Sequence, residues 1–244
     1  MKLLRLITIF CCSAGFFTTA RAATTVNAGT VSNVTGPGSL DYTNNLYAVN
    51  FNGPTLAVNG VTFVSDSTPP VGFSSVGPQL VTNWQTKPEF GATTDDNNLE
   101  TIYKDIRWTN SLADPPLQAN MNVTPGQQYR LQVLFYGNHA GDNRGWDIQV
   151  DGVLTVDNVW SLGVSTGGEP AYSPNRGLVY TYDFVAPDNQ VNVAFGQLGG
   201  AAPETIDTNA IWQGIMLSAI PEPSTAMLGG VAALALLRRR RSRF

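Results

Sequence analysis

Cysteine is nearly missing from this 244-residue chain: Cys11 and Cys12 both fall in an N-terminal apolar run, and there are no others. A domain following that run has no disulfide to draw on, even in a compartment that would allow one. Histidine occurs once, as His139 in the stretch GNHAGDNRGW. A catalytic zinc takes about three protein ligands, so a single histidine without cysteine does not build such a site, and His139 reads as a solvated loop residue. No G-x-S-x-G elbow is present, and one histidine without an identifiable nucleophile gives no triad. A glycosidase needs only two carboxylates, about 5 to 10 Å apart, an arrangement that sequence does not exclude. A non-catalytic protein is the expectation, with no catalytic and no metal-binding residue assigned. A long apolar run is lacking as well. The stretch from Ser224 to Leu237 has 14 residues, whereas a helix crossing the hydrocarbon core needs roughly 20.

Both ends carry patterns of their own. Residues 1–22 hold Lys2 and Arg5, an apolar run from Leu6 to Phe17, and the small-x-small triplet Ala20-Arg21-Ala22, in the order of a secretory signal peptide cleaved after Ala22 or Ala23. A lipoprotein signal is the alternative, but neither cysteine follows the small residue that such processing prefers. At the other end, Pro221-Glu222-Pro223 precedes the apolar stretch, and Arg238, Arg239, Arg240, Arg241 and Arg243 follow it. Arginines are costly to move through a bilayer and hold their end on the cytoplasmic side. Pro-Glu-Pro by itself also reads as a stiff linker, since each proline fixes φ. The three features together resemble the PEP-CTERM sorting signal of Gram-negative bacteria. That resemblance implies recognition by a membrane-embedded exosortase, with Pro221, Glu222, Pro223 and Arg238 to Arg241 as the sorting motif. It further implies delivery to the cell envelope or exopolysaccharide matrix, with the C-terminal helix in the membrane before processing.

Positive charge is scarce between the two ends. Six cations, Lys87, Lys104, Arg107, Arg130, Arg144 and Arg176, stand against 17 acids, a net charge of −11. Such a domain repels nucleic acid and anionic membrane surfaces, so the partners expected are the exosortase, the export machinery and a polysaccharide. About 200 residues suffice for one self-supporting core, and the boundaries read as 1–22 signal peptide, 23–219 domain and 220–244 sorting signal.

Within the domain the apolar spacing is two. In QYRLQVLFY, Tyr129, Leu131, Val133 and Phe135 share a face, and GWDIQVDG, GLVYTYDFV and QVNVAFGQ alternate likewise. LYAVNF, VTFVS, ANMNV and AIWQGIMLS are further strands, separated by TPG, DG, APD and GG turn signals. Only TTDDNNLETIYKDIRW reads as a helix, capped by Thr94 or Asp95, with Leu99, Ile102, Tyr103 and Ile106 on one side. The class is therefore all-β, an antiparallel sandwich with one short helix, plus an N-terminal signal helix and a C-terminal hydrophobic helix.

The order of elements adds a second resemblance. Thr124-Pro125-Gly126 with Tyr129, then LQVLFYGNHAGDNRGWDIQVDG, then DTNAIWQGIMLS, is similar to the malectin and galactose-binding-like jelly rolls over Asn120 to Ser218. It implies a jelly-roll β-sandwich and a site built from loop aromatics with an aspartate near the last strand, places that Tyr136 and Asp207 occupy here. Sugar recognition needs flat apolar faces and polar groups for the hydroxyls. Trp160 and Tyr172 flank the glycine-rich SLGVSTGGEPAYSPN, Trp84 lies in VTNWQTKPEF, and Arg144 either ties its loop down or meets a ligand carboxylate. The candidate ligand residues are thus Trp84, Tyr136, Arg144, Trp160, Tyr172 and Asp207, with Trp146 assigned to the core. Asp95, Asp96, Asn97 and Asn98 offer hard oxygens of the kind calcium takes, but their spacing matches no EF-hand, and no cofactor is expected. The alternative to a carbohydrate-binding module is a structural or adhesive matrix protein whose surface does the work.

Overall fold

The computed structural model describes residues 28–84, 88–109, 114–137, 145–160, 176–198 and 209–221. In chain order the strands are β1 (Thr30–Val34), β2 (Asn45–Asn50), β3 (Leu56–Val58), β4 (Val61–Ser65), β5 (Phe73–Val76) and β6 (Gln79–Val81). The helix α1 (Thr94–Ile102) follows, then β7 (Ile106–Trp108), β8 (Leu117–Asn122), β9 (Gln128–Phe135) and β10 (Gly145–Val150). The chain continues with β11 (Val153–Trp160), β12 (Gly177–Val185), β13 (Gln190–Gly196), β14 (Ile211–Trp212) and β15 (Gly214–Ala219). A seven-stranded sheet runs β1-β12-β9-β15-β2-β4-β3, a five-stranded sheet runs β11-β10-β13-β8-β5, and a small sheet runs β14-β7-β6. Among the described residues every pairing is antiparallel except β2 with β4. The exception follows from the β3–β4 hairpin: it reverses the chain at Asn59 and Gly60, both at positive φ, and sends β4 back along β2.

The period-two pattern places the core. Tyr129, Leu131, Val133 and Phe135 on β9 are all at most 2% exposed, and they face the five-stranded sheet. Phe135 meets Trp146 and Phe195 at ring-centroid distances of 5.6 and 6.1 Å, and Tyr47 meets Phe73 at 6.2 Å, so aromatics from both sheets interlock as sandwich cores require. Trp146 is fully buried, as its place in the alternation implied.

The outer face of the large sheet is covered too, by α1 and the segment before β2. Leu99, Ile102 and Tyr103 are buried against it. The fit depends on two glycines: a Cβ on Gly214 would lie 3.1 Å from Ile102 Cγ2, and one on Gly177 would overlap the Tyr103 ring. The Tyr103 hydroxyl, its pKa raised well above the ordinary value by burial, donates to the Leu178 carbonyl at 2.9 Å.

The helix differs from its sequence reading at both ends. Thr93 is the cap: its hydroxyl accepts from the Asp96 N–H at 3.1 Å, and the Asp96 carboxylate accepts from the Thr93 N–H at 3.0 Å. This capping box satisfies two orphan donors at once, which is why it prevails over Thr94 and Asp95. The helix stops at Ile102 instead of running on, because Ile106 to Trp108 pair with β6 and Arg107 and Trp108 also with β14, and the Asp105 carboxylate accepts the Asn83 N–H at 2.6 Å. AIWQGIMLS, read as one strand, is broken at Gln213 into β14 and β15.

The β10–β11 hairpin supplies a pH prediction. Asp151 and Gly152 both adopt positive φ, the pairing of residues that a two-residue turn of this type favours. Burial raises the Asp151 pKa, the Asn192 N–H donated to its carboxylate opposes that rise, and the charge of Asp188 adds to it. The folded state then binds the proton more tightly than the unfolded chain, so this group's contribution to stability is greatest at low pH and is lost as pH rises through the carboxylate range. Asp151→Asn keeps the acceptor and tolerates the backbone. It is expected to stabilise the domain at neutral pH by less than about 0.5 kcal/mol, since water screens the half-exposed carboxylate, and to give no gain below the titration. Urea melts at both pH values check this.

Candidate functional site

Strand register gathers the roots of four connections at one end of the sandwich. Phe135 stands opposite Leu178, Gly145 opposite Trp160, Asp147 opposite Gly196, and Leu117 opposite Phe195, while Trp108 faces Ile211 in the small sheet. The stretches 138–144, 161–175, 199–208 and 110–113 leave from and return to these positions. Arg144, Tyr172 and Asp207 lie in those stretches, outside the described residues, as do His139 and Asp142. Trp160 closes β11 at the same end.

Buried polar side chains hold the roots in place. Gln213, fully buried, accepts the Tyr136 N–H at 2.9 Å and donates to the Tyr136 carbonyl at 2.8 Å. Its own backbone bonds to Leu134 and Phe51, so one glutamine ties the start of the 138–144 connection to the centre of the large sheet. Asp147, 1% exposed, accepts the Leu198 N–H at 2.8 Å, and Gln149 donates to the Leu198 carbonyl at 2.7 Å. Thr109 and Ala210 bond through their backbones, with the Thr109 hydroxyl accepting the Ala210 N–H at 2.9 Å. Unpaired buried polar groups are costly, so these pairings fix each root where the strand register sets it. Sequence reading missed Gln213 and Asp147. Gln213 had a signal, a polar residue within the otherwise apolar AIWQGIMLS, whereas Asp147 sat at an ordinary polar position of its alternating strand.

Two expected ligand residues fall elsewhere. Tyr136 is 1% exposed, so its ring belongs to the core, and its contribution at this end is through its backbone. Trp84 packs half-buried against the core, and its backbone N–H donates to the Lys104 carbonyl at 3.1 Å. That places it beyond the Val81–Ile106 pair, away from the Trp108–Ile211 end. The acidic and amide groups at the start of α1 have local work. Asp95 accepts the Asn59 N–H, Asp96 closes the capping box, Asn97 bonds the Thr93 carbonyl and Asn98 the Ala57 carbonyl. Among the described residues no group of three or more His, Cys, Asp or Glu is arranged to hold a metal ion.

The domain's cations are partly consumed internally. Arg107 pairs with Asp66 and donates to the Gly77 carbonyl. Arg130 forms a two-bond fork with Asp183 at 2.8 Å and a third bond to Asp41 at 2.8 Å, and these carboxylates hold its pKa above the ordinary value.

The sandwich's other end releases the C-terminal segment. Ala219 stands opposite Tyr129, the Ile220 N–H donates to the Gln128 carbonyl at 2.9 Å, and Gln127 donates to the Ile220 carbonyl at 2.7 Å. Pro221 is exposed directly after these bonds. Glu222, Pro223 and Arg238 to Arg241 lie outside the described residues, and among those described no helix is long and apolar enough to cross a membrane.

Residues 219–241 match the PEP-CTERM protein-sorting motif, so the C-terminal segment is a sorting signal, which implies an exported, exosortase-processed protein. No curated protein matches the chain in sequence. Among solved structures it is similar to the plant receptor-like kinase ANX2, at 12% identity and a TM-score of 0.52, over 73% of this chain and 49% of that one. The ANXUR2 extracellular domain from Arabidopsis thaliana gives 13% identity and a TM-score of 0.53 over 73% and 49%. A β-glucuronidase of Bacteroides uniformis gives 16% and 0.50 over 72% of this chain and 18% of that one. The chain thus spans about half the length of the plant proteins and a smaller part of the glucuronidase. At these identities the likeness is one of fold, a β-sandwich consistent with the malectin-like resemblance.

Proposed function

We propose that this exosortase-sorted protein is a non-catalytic, carbohydrate-binding component of the cell envelope or exopolysaccharide matrix of a Gram-negative bacterium. In this reading residues 1–22 are removed on export, and the jelly roll binds its glycan at the end where the four connections are rooted. The observation that carries it is the division of the sandwich into two ends. The stretches bearing Arg144, Tyr172 and Asp207 leave and return at one, where Trp160 ends β11, and the sorting signal leaves from the other, so a tethered domain would present its sugar site away from the tether.

Stacking on a neutral glycan depends little on ionic strength, because fixed charge contributes little to it. Trp160→Ala is therefore expected to weaken glycan binding by more than about 1 kcal/mol while leaving the melting temperature unchanged, as the loss of a side chain that serves the ligand and not the fold would. Calorimetric titration paired with a thermal melt checks both parts, and a variant that unfolds instead removes the site from this residue. The net charge of −11 favours a second reading, a structural or adhesive matrix protein acting through its acidic surface. Association in that case is salt-sensitive and indifferent to Trp160.

A further inference from the structure

We infer that the tail-bearing end of the sandwich is a membrane-contact surface, resting apolar side chains on an uncharged lipid interface while the C-terminal segment is still attached. The inference rests on the reading of that segment as membrane-inserted before processing.

The tether is short and its origin is fixed. The backbone of Ile220 is bonded on both sides, to Gln128 and Gln127, and Pro221 to Pro223 alone separate it from the apolar stretch that begins at Ser224. At 3.3 to 3.6 Å per extended residue, this link spans roughly 10 Å. Two of its three residues are prolines, which stiffen it. The headgroup layer on each face of a bilayer is about 5 to 8 Å deep, so an inserted stretch draws this end of the domain down to the lipid interface.

The surface that meets it is apolar. Val71 is 99% exposed and Leu46 50%, side by side on one depression, and Val185, 59% exposed, stands apart from them at the same end. Register places all three at this end. Val185 stands opposite Gln128, Leu46 follows the Asn45–Ser218 pair, and Val71 precedes Gly72, whose carbonyl accepts the Asn122 N–H at 2.8 Å. Leu46, Pro70, Val71, Asn122, Val123 and Thr124 border a shallow depression of about 430 Å³. Charge selects the lipid. Arg130 is engaged by Asp183 and Asp41, and Asp188 in the turn between β12 and β13 is exposed, which disfavours an anionic surface.

The test uses the exported chain without residues 1–22, which carry both of its cysteines, bound to phosphatidylcholine vesicles. An environment-sensitive fluorophore is attached at Val71→Cys, or at Val76→Cys near the opposite end, where Val76 pairs with Gln118. The expected result is co-flotation with vesicles, together with a blue shift and quenching by headgroup-labelled nitroxide lipid at position 71 and neither at position 76. A floating chain with no quenching at 71, or equal quenching at both positions, overturns the surface while leaving the tail's insertion intact. Protection at 71 that appears only when the sorting enzyme is added overturns it in favour of a protein contact. A chain that fails to float removes the inserted tail and this surface together, and leaves glycan binding to be judged on its own titration.

Discussion

Trp212→Ala is expected to lower the stability of the domain by about 3 to 5 kcal/mol, the cost of emptying a large aromatic site in a close-packed core. Trp212 is fully buried, with its ring 4.4 Å from that of Phe51 at an interplanar angle of 7° and 5.5 Å from that of Phe195. It therefore joins the large sheet's margin to the five-stranded sheet. Its indole N–H has no hydrogen-bond partner among the described residues, so truncation strands no acceptor and the loss is one of packing. Gln213 is the next residue, and the roots it ties should loosen as well. Equilibrium urea unfolding measures the loss, and hydrogen exchange at Tyr136 the loosening. A variant that melts like the parent contradicts this account of the core.

Replacing Arg238 to Arg241 with glutamine is expected to abolish sorting. Each arginine costs roughly 2.5 to 3.5 kcal/mol at the centre of a membrane helix. In the proposed reading, four in succession after a 14-residue apolar stretch would act as the stop that keeps a short segment from passing through. Without them the stretch is too short to hold itself in the bilayer, and the chain should appear unprocessed in the medium or be degraded. Fractionation with immunoblotting reads the outcome. A variant placed and trimmed like the parent would show that the arginines do not retain the segment.

How much of this was legible in the sequence depended on how far apart the interacting residues lie. QYRLQVLFY, GWDIQVDG, GLVYTYDFV and QVNVAFGQ became β9, β10, β12 and β13 because each alternates over enough residues to fix its own face. β3 and β6 went unread and β7 was read as the end of the helix, since three residues carry no period and their pairing is decided by distant partners. The length of β9's burial was equally hidden. Gln132 and Leu134 are buried on what alternation marks as the outer face, because α1 and the Asp41 backbone cover it, the latter donating to Gln132 at 3.1 Å. Tyr136 was read as a ligand residue through the malectin-like resemblance, and nothing local announced that Gln213, 77 positions away, would bond its backbone at the edge of the core. The sorting signal was the easiest part to read, because its three features are contiguous and act through charge and length, without tertiary structure.

The most direct test of the central claim is a glycan array probed with the exported chain at about 50 mM and again at about 500 mM salt, where surface charge is largely screened. The account predicts that one family of neutral glycans is retained with equal intensity at both salt concentrations. Retention of no glycan, or of anionic and cationic probes that vanish at the higher salt, would contradict it.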